Sequence, residues 1–223
     1  MIYAIVLAVM LLSWLVQHTL NSRFEEYSHV PSPHSLTGAD VARMMLQQNG
    51  ITDVEVKCIE GTLTDHFNPS TKVINLSTSV YQGANIASCA VAAHETGHAL
   101  QHALGYGPLK LRTALVPVVN LASKTVQWVL LAGVIVLSIT PSLLYLGIAL
   151  FAMTTLFSIV TLPVEINASQ RAVAWLRQAG ITDASTTPLA QDALKWAAYT
   201  YVIAALGSLA TLLYYISLAN RRN

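Results

Sequence analysis

Hydrophobic residues along this chain gather into four long runs separated by polar stretches of unequal size. The runs cover residues 2–16, 115–139, 143–162 and 199–218. A helix needs about 20 apolar residues to cross about 30 Å of hydrocarbon, so each run predicts a membrane span. The first is short, which implies local thinning of the bilayer or continuation through Leu20. It has no basic n-region and no small-residue cleavage site, and so reads as a retained anchor rather than a removed signal peptide. Thr140-Pro141-Ser142 joins the second and third runs as a tight hairpin, and Lys124 near the end of a span can snorkel to the headgroups. Trp196, Tyr199 and Tyr201 mark one interface of the fourth run, Tyr214 and Tyr215 the other, and Arg221-Arg222 closes it.

The polar stretches carry shorter patterns. Within 18–112, Pro31 to Ser35 is a linker, and Thr37 is placed to cap a helix over 38–49 that Gly50 ends. Residues 54–59 alternate as a strand, and Asn68-Pro-Ser-Thr71 joins 63–67 to 73–76 as a hairpin. Asn85 can cap a following Ala-rich helix, with Gly105 as its stop. The second polar stretch predicts a helix over 165–178 stopped by Gly180. Gln-Asn-Gly-Ile-Thr-Asp and Gln-Ala-Gly-Ile-Thr-Asp follow the two polar helices, an echo read as two similar helix ends. The resulting fold class is a mainly α, polytopic membrane protein with about four transmembrane helices and a small α+β unit at the membrane surface. Its expected parts are an anchor (1–17), a catalytic region (18–112), a helical hairpin (113–163), a helix carrying a further ligand (164–196) and a last span (197–223). Two spans separate the two polar regions, so both lie on the same side of the membrane.

Composition agrees with lipid contact. The chain is 54% hydrophobic and only 10% charged, with mean hydropathy +0.52, where soluble domains carry about 25% charge. A net charge of +1 provides no basic field for nucleic acid. The two cysteines, Cys58 and Cys89, form neither a disulfide framework nor a metal-type pair, and Cys89 reads as core packing.

The chemistry centres on His94-Glu95-Thr96-Gly97-His98. On a helix, residues i and i+4 share a face, so both imidazoles can hold one metal and the adjacent acid can serve as general base. The competing reading is two hydrogen-bonded histidines on an amphipathic helix. A catalytic zinc usually takes a third protein ligand. Gln101 and Leu104 stand where a metzincin would have Gly and His, which removes that option, and His102 lies a further turn from His98. Glu165 begins the polar helix just after Pro163, which is expected to break the membrane helix there. A carboxylate so near hydrocarbon needs a cation, and zinc would supply one, although a helix-capping role also fits.

Gly61-Thr-Leu-Thr-Asp-His-Phe-Asn-Pro69, Val91 to Gln101, Pro108-Leu-Lys-Leu-Arg112 with Val116-Pro-Val118, and Thr161-Leu-Pro-Val-Glu165 occur in an order that resembles the YugP-type bacterial membrane zinc metallopeptidases. More distantly the layout is similar to HtpX-type proteases and the CAAX prenyl protease, gluzincins with a Glu-x-x-Ala signature that Glu165 and Ala168 match. The resemblance implies a zincin-like (gluzincin) catalytic unit, Zn²⁺ held by His94, His98 and Glu165, and a multi-pass protein of the bacterial cell membrane. It departs at Asn167 and Ser169, where family patterns carry Asp; ligand orientation is what those changes affect. The expected reaction is peptide-bond hydrolysis by a zinc-activated water with Glu95 as base. Arg171 is the first choice as oxyanion donor, followed by His66 and Tyr81. An edge strand of Leu63, Thr64, Asp65, His66 and Phe67 would bind extended substrate by its main chain. The expected partners are the lipid bilayer and protein or peptide substrates near the membrane, with no nucleic acid. Two alternatives differ in class: an intramembrane, site-2-like protease with 84–104 as a span, and a non-catalytic adaptor stapled by zinc. Lys110, Arg112, Arg171, Arg177 and Lys195 flank the spans on the catalytic side, and the positive-inside rule then favours a cytoplasmic catalytic face.

Overall fold

The four apolar runs form four helices, three of them far longer than their runs, while the second starts before its run and ends at Ile135, short of the run's end. In the computed structural model, which describes residues 2–220, they are α1 (Ile2–Ser28), α5 (Gly107–Ile135), α6 (Ser142–Gln178) and α7 (Thr187–Asn220). Arg221 and Arg222 lie outside the described residues. All four helices are long and apolar enough to cross a membrane. At 1.5 Å per residue, the 37 residues of α6 extend about 55 Å. Its surplus over the hydrocarbon thickness stands outside the bilayer and enters the polar unit.

This corrects two expectations. Pro163 does not break the third span, because α6 runs unbroken through it, and residues 165–178 are its outer end rather than a separate helix. The proline ring lies on the exposed side of α6 while its neighbours Val164 and Glu165 are buried. Such prolines are tolerated in membrane helices where the surrounding structure holds the helix together. The first span, in turn, continues without interruption to Ser28. There Tyr27 donates its hydroxyl hydrogen to Asp192 Oδ2 at 2.9 Å, tying α1 to α7.

The polar unit is built on α2 (Gly38–Gln48), a three-stranded sheet of β1 (Glu55–Ile59), β2 (His66–Asn68) and β3 (Val73–Ser77), the short α3 (Thr78–Gln82), and α4 (Ile86–Ala103). The expected caps are in place. Thr37 and Asp40 form a reciprocal capping box on α2, and Asn85 Oδ1 accepts the Ser88 N–H at 2.8 Å on α4. The two echoed hexapeptides make the same helix end: Gly50 and Gly180 both take φ +69°, and Ile51 and Ile181 donate back to Leu46 and Leu176. The strand order is β1-β3-β2, with β1 parallel and β2 antiparallel to β3, so β2 is an edge.

That edge is shorter than the sequence implies. Residues 63–65 are not strand, and Leu63 is exposed with φ +56°. The Asp65 carboxylate accepts the Ser77 N–H at 2.7 Å, taking a donor that the ladder would otherwise have used. Ile74 and Leu76 of β3, Met45 of α2, Ile86 and Ala90 of α4, and Leu176 of α6 form one core. Helix α4 is thus enclosed by the polar unit and the outer end of α6. It is not among the four helices long and apolar enough to cross a membrane, and it packs in the core of the polar unit.

Candidate metal centre

The ligand set is created where α4 crosses α6. Gly97 faces Ala168 so closely that a methyl group built on Gly97 would stand 2.8 Å from the Ala168 carbonyl oxygen. Both residues of the crossing are small because the backbones meet there. This closeness lets the side chains on either side of Gly97 reach Glu165, one turn before Ala168.

Glu165 Oε2 lies 3.3 Å from His94 Nε2 and 3.4 Å from His98 Nε2. One donor atom from each of the three residues falls within 4.8 Å of the others. Zinc bonds of about 2.0–2.1 Å give a tetrahedron with edges of about 3.3–3.4 Å, so the two carboxylate–imidazole separations fit a shared ion. Glu165 is 2% exposed, and its Oε2 is the one buried side-chain polar atom without a hydrogen-bond partner among the described residues. A buried carboxylate oxygen left bare is strongly unfavourable, and a cation between it and two imidazole nitrogens removes the problem. The donor set of two nitrogens and one carboxylate oxygen also suits zinc.

The far side of each ligand is held. Gln101 Nε2 donates to Val164 O at 2.8 Å and to Asn167 Oδ1 at 3.0 Å, which leaves its Oε1 to accept from His98 Nδ1 at 3.1 Å. His98 therefore carries its proton on Nδ1 and presents a bare Nε2 to the metal position. Ser169 Oγ stands 3.1 Å from His94 Nδ1 and can do the same for that ring. Arg112 Nη1 donates to Glu165 Oε1 at 3.1 Å, which reserves Oε2 for the metal. Asn167 and Ser169, the two departures from the family pattern, are thus part of the orienting network. Burial opposes charging of His98, but the neighbouring carboxylates of Glu165 and Glu95, with the Gln101 amide, outweigh it, so its pKa lies above the ordinary histidine value.

Glu95 lies beside the ligands, and its Oε2 accepts the Phe67 N–H at 3.0 Å. The edge strand and the acid are therefore locked together. Two cavities flank the metal position, one of about 250 Å³ and one of about 530 Å³. Asp65, Glu95, Glu165 and Tyr201 line both. The smaller opens towards α1 and α7, the larger towards β2 and α5.

Several residues singled out from the sequence do not take the expected place. Arg171 is turned away: its Nε donates to Asn167 Oδ1 at 2.8 Å, and it lines neither cavity. It lies a turn and a half beyond Glu165, and α6 continues straight past the metal position. Tyr81 accepts from Arg43 at 2.6 Å and also lines neither cavity. His66 lines the larger one, but both ring nitrogens are engaged, Nδ1 with Thr64 O at 2.8 Å and Nε2 with Asn75 at 3.2 Å. Phe67 lines that cavity too, Leu63 the smaller one and Asp65 both, whereas Thr64 lines neither. His102 is exposed and packs on Phe67, outside the ligand set.

Arg112 and Tyr201 are the residues sequence reasoning passed over. From the sequence Arg112 reads as a cation flanking a span within a segment that carries the family resemblance, and Tyr201 as an interfacial aromatic. Nothing in local spacing brings either to Glu165.

Known proteins resemble this chain over nearly its whole length. A family model described as "Putative neutral zinc metallopeptidase" matches residues 2–220. The chain is 43% identical over 210 residues to the "Putative membrane protease YugP" of Bacillus subtilis (strain 168), covering 94% of this chain and 92% of that protein. No solved structure matches it. With His94, His98 and Glu165 converging at the end of a membrane helix, and with the match extending over nearly its whole length, the chain belongs to this family of zinc metallopeptidases of the bacterial membrane.

Proposed function

We propose that this protein is a gluzincin-type endopeptidase that cuts membrane or membrane-proximal polypeptides at the bilayer surface. The observation that carries the reading is the bare Glu165 Oε2 between two imidazole nitrogens, with the Glu95 carboxylate alongside. His94, His98 and Glu165 would hold the zinc. When bound, the ion acidifies a water and polarises the scissile carbonyl.

The remaining steps belong to side chains. Glu95, held by the Phe67 N–H, takes a proton from the attacking water and returns it to the leaving amine. Arg112 keeps Glu165 in place through Oε1. Tyr201 lines both cavities within electrostatic reach of Glu95, Glu165 and Arg112, and its hydroxyl replaces Arg171 as the donor to the developing oxyanion. The edge at His66–Asn68 lies beside the substrate main chain and meets it through backbone groups other than the Phe67 N–H, which Glu95 holds. Cavities on both sides of the metal position let a chain pass through, which supports internal rather than terminal cleavage.

The test is release of fluorescence from an internally quenched peptide by zinc-loaded protein in nanodiscs, beside the Glu95→Gln variant. Cleavage by the wild type and its loss in a variant that still holds zinc support the enzyme. Equal behaviour of the two would favour the adaptor.

A further inference from the structure

A third cavity lies along the outer ends of α6 and α7. It has a volume of about 460 Å³ and a largely apolar lining, from Ile166 and Val202 at the membrane end to Arg177 and Thr187 at the far end. Arg177 and Lys195 stand exposed on its rim. Among the described residues neither pairs with a carboxylate; Lys195 is only stacked over the Tyr199 ring at 5.6 Å. The acids nearest in sequence are occupied: Asp183 by Ser185 and Thr186, Asp192 by Tyr27 and Arg23. Two cations beside apolar walls therefore lack their counter-charge.

The groove is continuous with the metal centre. Ser169, Leu194 and Ala198 line both it and the smaller of the two cavities beside the ligands, and Ser169 is the residue bonded to His94. Its direction matters as well. From Ser169 to Arg177 it climbs eight residues of helix, about 12 Å, away from the hydrophobic span. A chain seated in it would run outward from the metal centre, from Ser169 towards Arg177.

We infer that this groove is a substrate track, which takes an extended apolar segment carrying one or two acidic residues that pair with Arg177 and Lys195. The inference rests on the peptidase reading and names its substrate class. An extended chain advances about 3.3 Å per residue, so the acidic residues belong about four to six residues from the scissile bond.

The experiment uses zinc-loaded full-length protein in phosphatidylcholine nanodiscs and peptides with one apolar cleavable core. Asp-Asp, Asn-Asn or Lys-Lys is placed five residues to either side of that core. Binding is read by fluorescence anisotropy on the Glu95→Gln background, and cleavage on the wild type. The Asp-Asp peptide of one side should bind about tenfold tighter than its Lys-Lys counterpart, and Arg177→Glu with Lys195→Glu should reverse that order. Binding without charge dependence, or an order unchanged by the double variant, overturns the inference. If the double variant instead changes only the response to added phosphatidylglycerol, the occupant is a lipid and the inference is equally overturned. Should the charge order hold while the wild type cleaves none of the peptides, the peptidase reading fails and the groove assignment stands.

Discussion

At Gly97 the backbones of α4 and α6 meet, and at Gly133 those of α5 and α6 meet. A methyl group would stand 2.8 Å from Ala168 O at the first crossing and 2.7 Å from the Leu144 Cα at the second. The local device is the same, a missing side chain that lets two helices touch. The surroundings differ. Around Gly97 sit two histidines, a buried carboxylate and a chain of amides orienting them; around Gly133 sit Leu130, Leu144 and other apolar side chains. Close approach thus sets donor distances at one end of α6 and only packing at the other. The same tenth of an ångström should therefore be felt as lost metal binding in one place and lost stability in the other.

The largest effect concerns the chemistry that only the first crossing supports. Glu95→Gln should lower peptide cleavage by about 10²–10⁴-fold while leaving bound zinc, measured by metal analysis, unchanged. Next comes the direct comparison of the glycines. Gly97→Ala must push α6 away from the ligands, so zinc affinity should fall roughly 10–100-fold. Gly133→Ala should cost about 1–3 kcal/mol of stability by overpacking, with zinc affinity unaltered. Competition with a chromophoric chelator, beside thermal unfolding in detergent, reads both. Equal effects of the two variants on zinc would end the distinction drawn here.

A smaller change is expected from Ser169→Ala, which removes the partner of His94 Nδ1 and should weaken zinc about tenfold. Acidification probes the same centre. The ligand form of His98 is neutral and in the metal-free protein its pKa is raised, so apparent zinc affinity should weaken as pH falls through that raised value. In the metal-free protein the sign reverses: this residue contributes stability at low pH that is lost as pH rises through its raised pKa. The mildest test leaves the fold intact. Burial pushes the Cys89 thiol up to about 12, so a maleimide at neutral pH should modify exposed Cys58 alone. With an impermeant reagent on intact cells, absence of labelling at Cys58 places the catalytic face in the cytoplasm.

Much of the framework could be read from local pattern. The four spans, the caps at Thr37 and Asn85, the paired helix ends at Gly50 and Gly180 and the His94–His98 face all depend on residues within a turn or two of one another. Their geometry follows from hydrogen-bond spacing and helical periodicity, which sequence displays directly. The extent of the helices was less legible, because Pro163 and the shift from apolar to polar residues look like a boundary. They do not mark where α6 ends.

What only the tertiary structure decided are contacts between residues far apart in the chain. Arg112 on Glu165, Gln101 on both Val164 and Asn167, and Phe67 on Glu95 each join segments with no common periodicity. Arg171 is different: six residues of helix place it about 120° round α6 from Glu165, and it bonds to Asn167 four residues back on its own helix. The sequence alone determined that two imidazoles share one helix face and that two apolar runs separate them from the carboxylate. Which oxygen of that carboxylate is left bare, and which donors hold the rest, depended on how closely two helices cross, and that distance is set by packing.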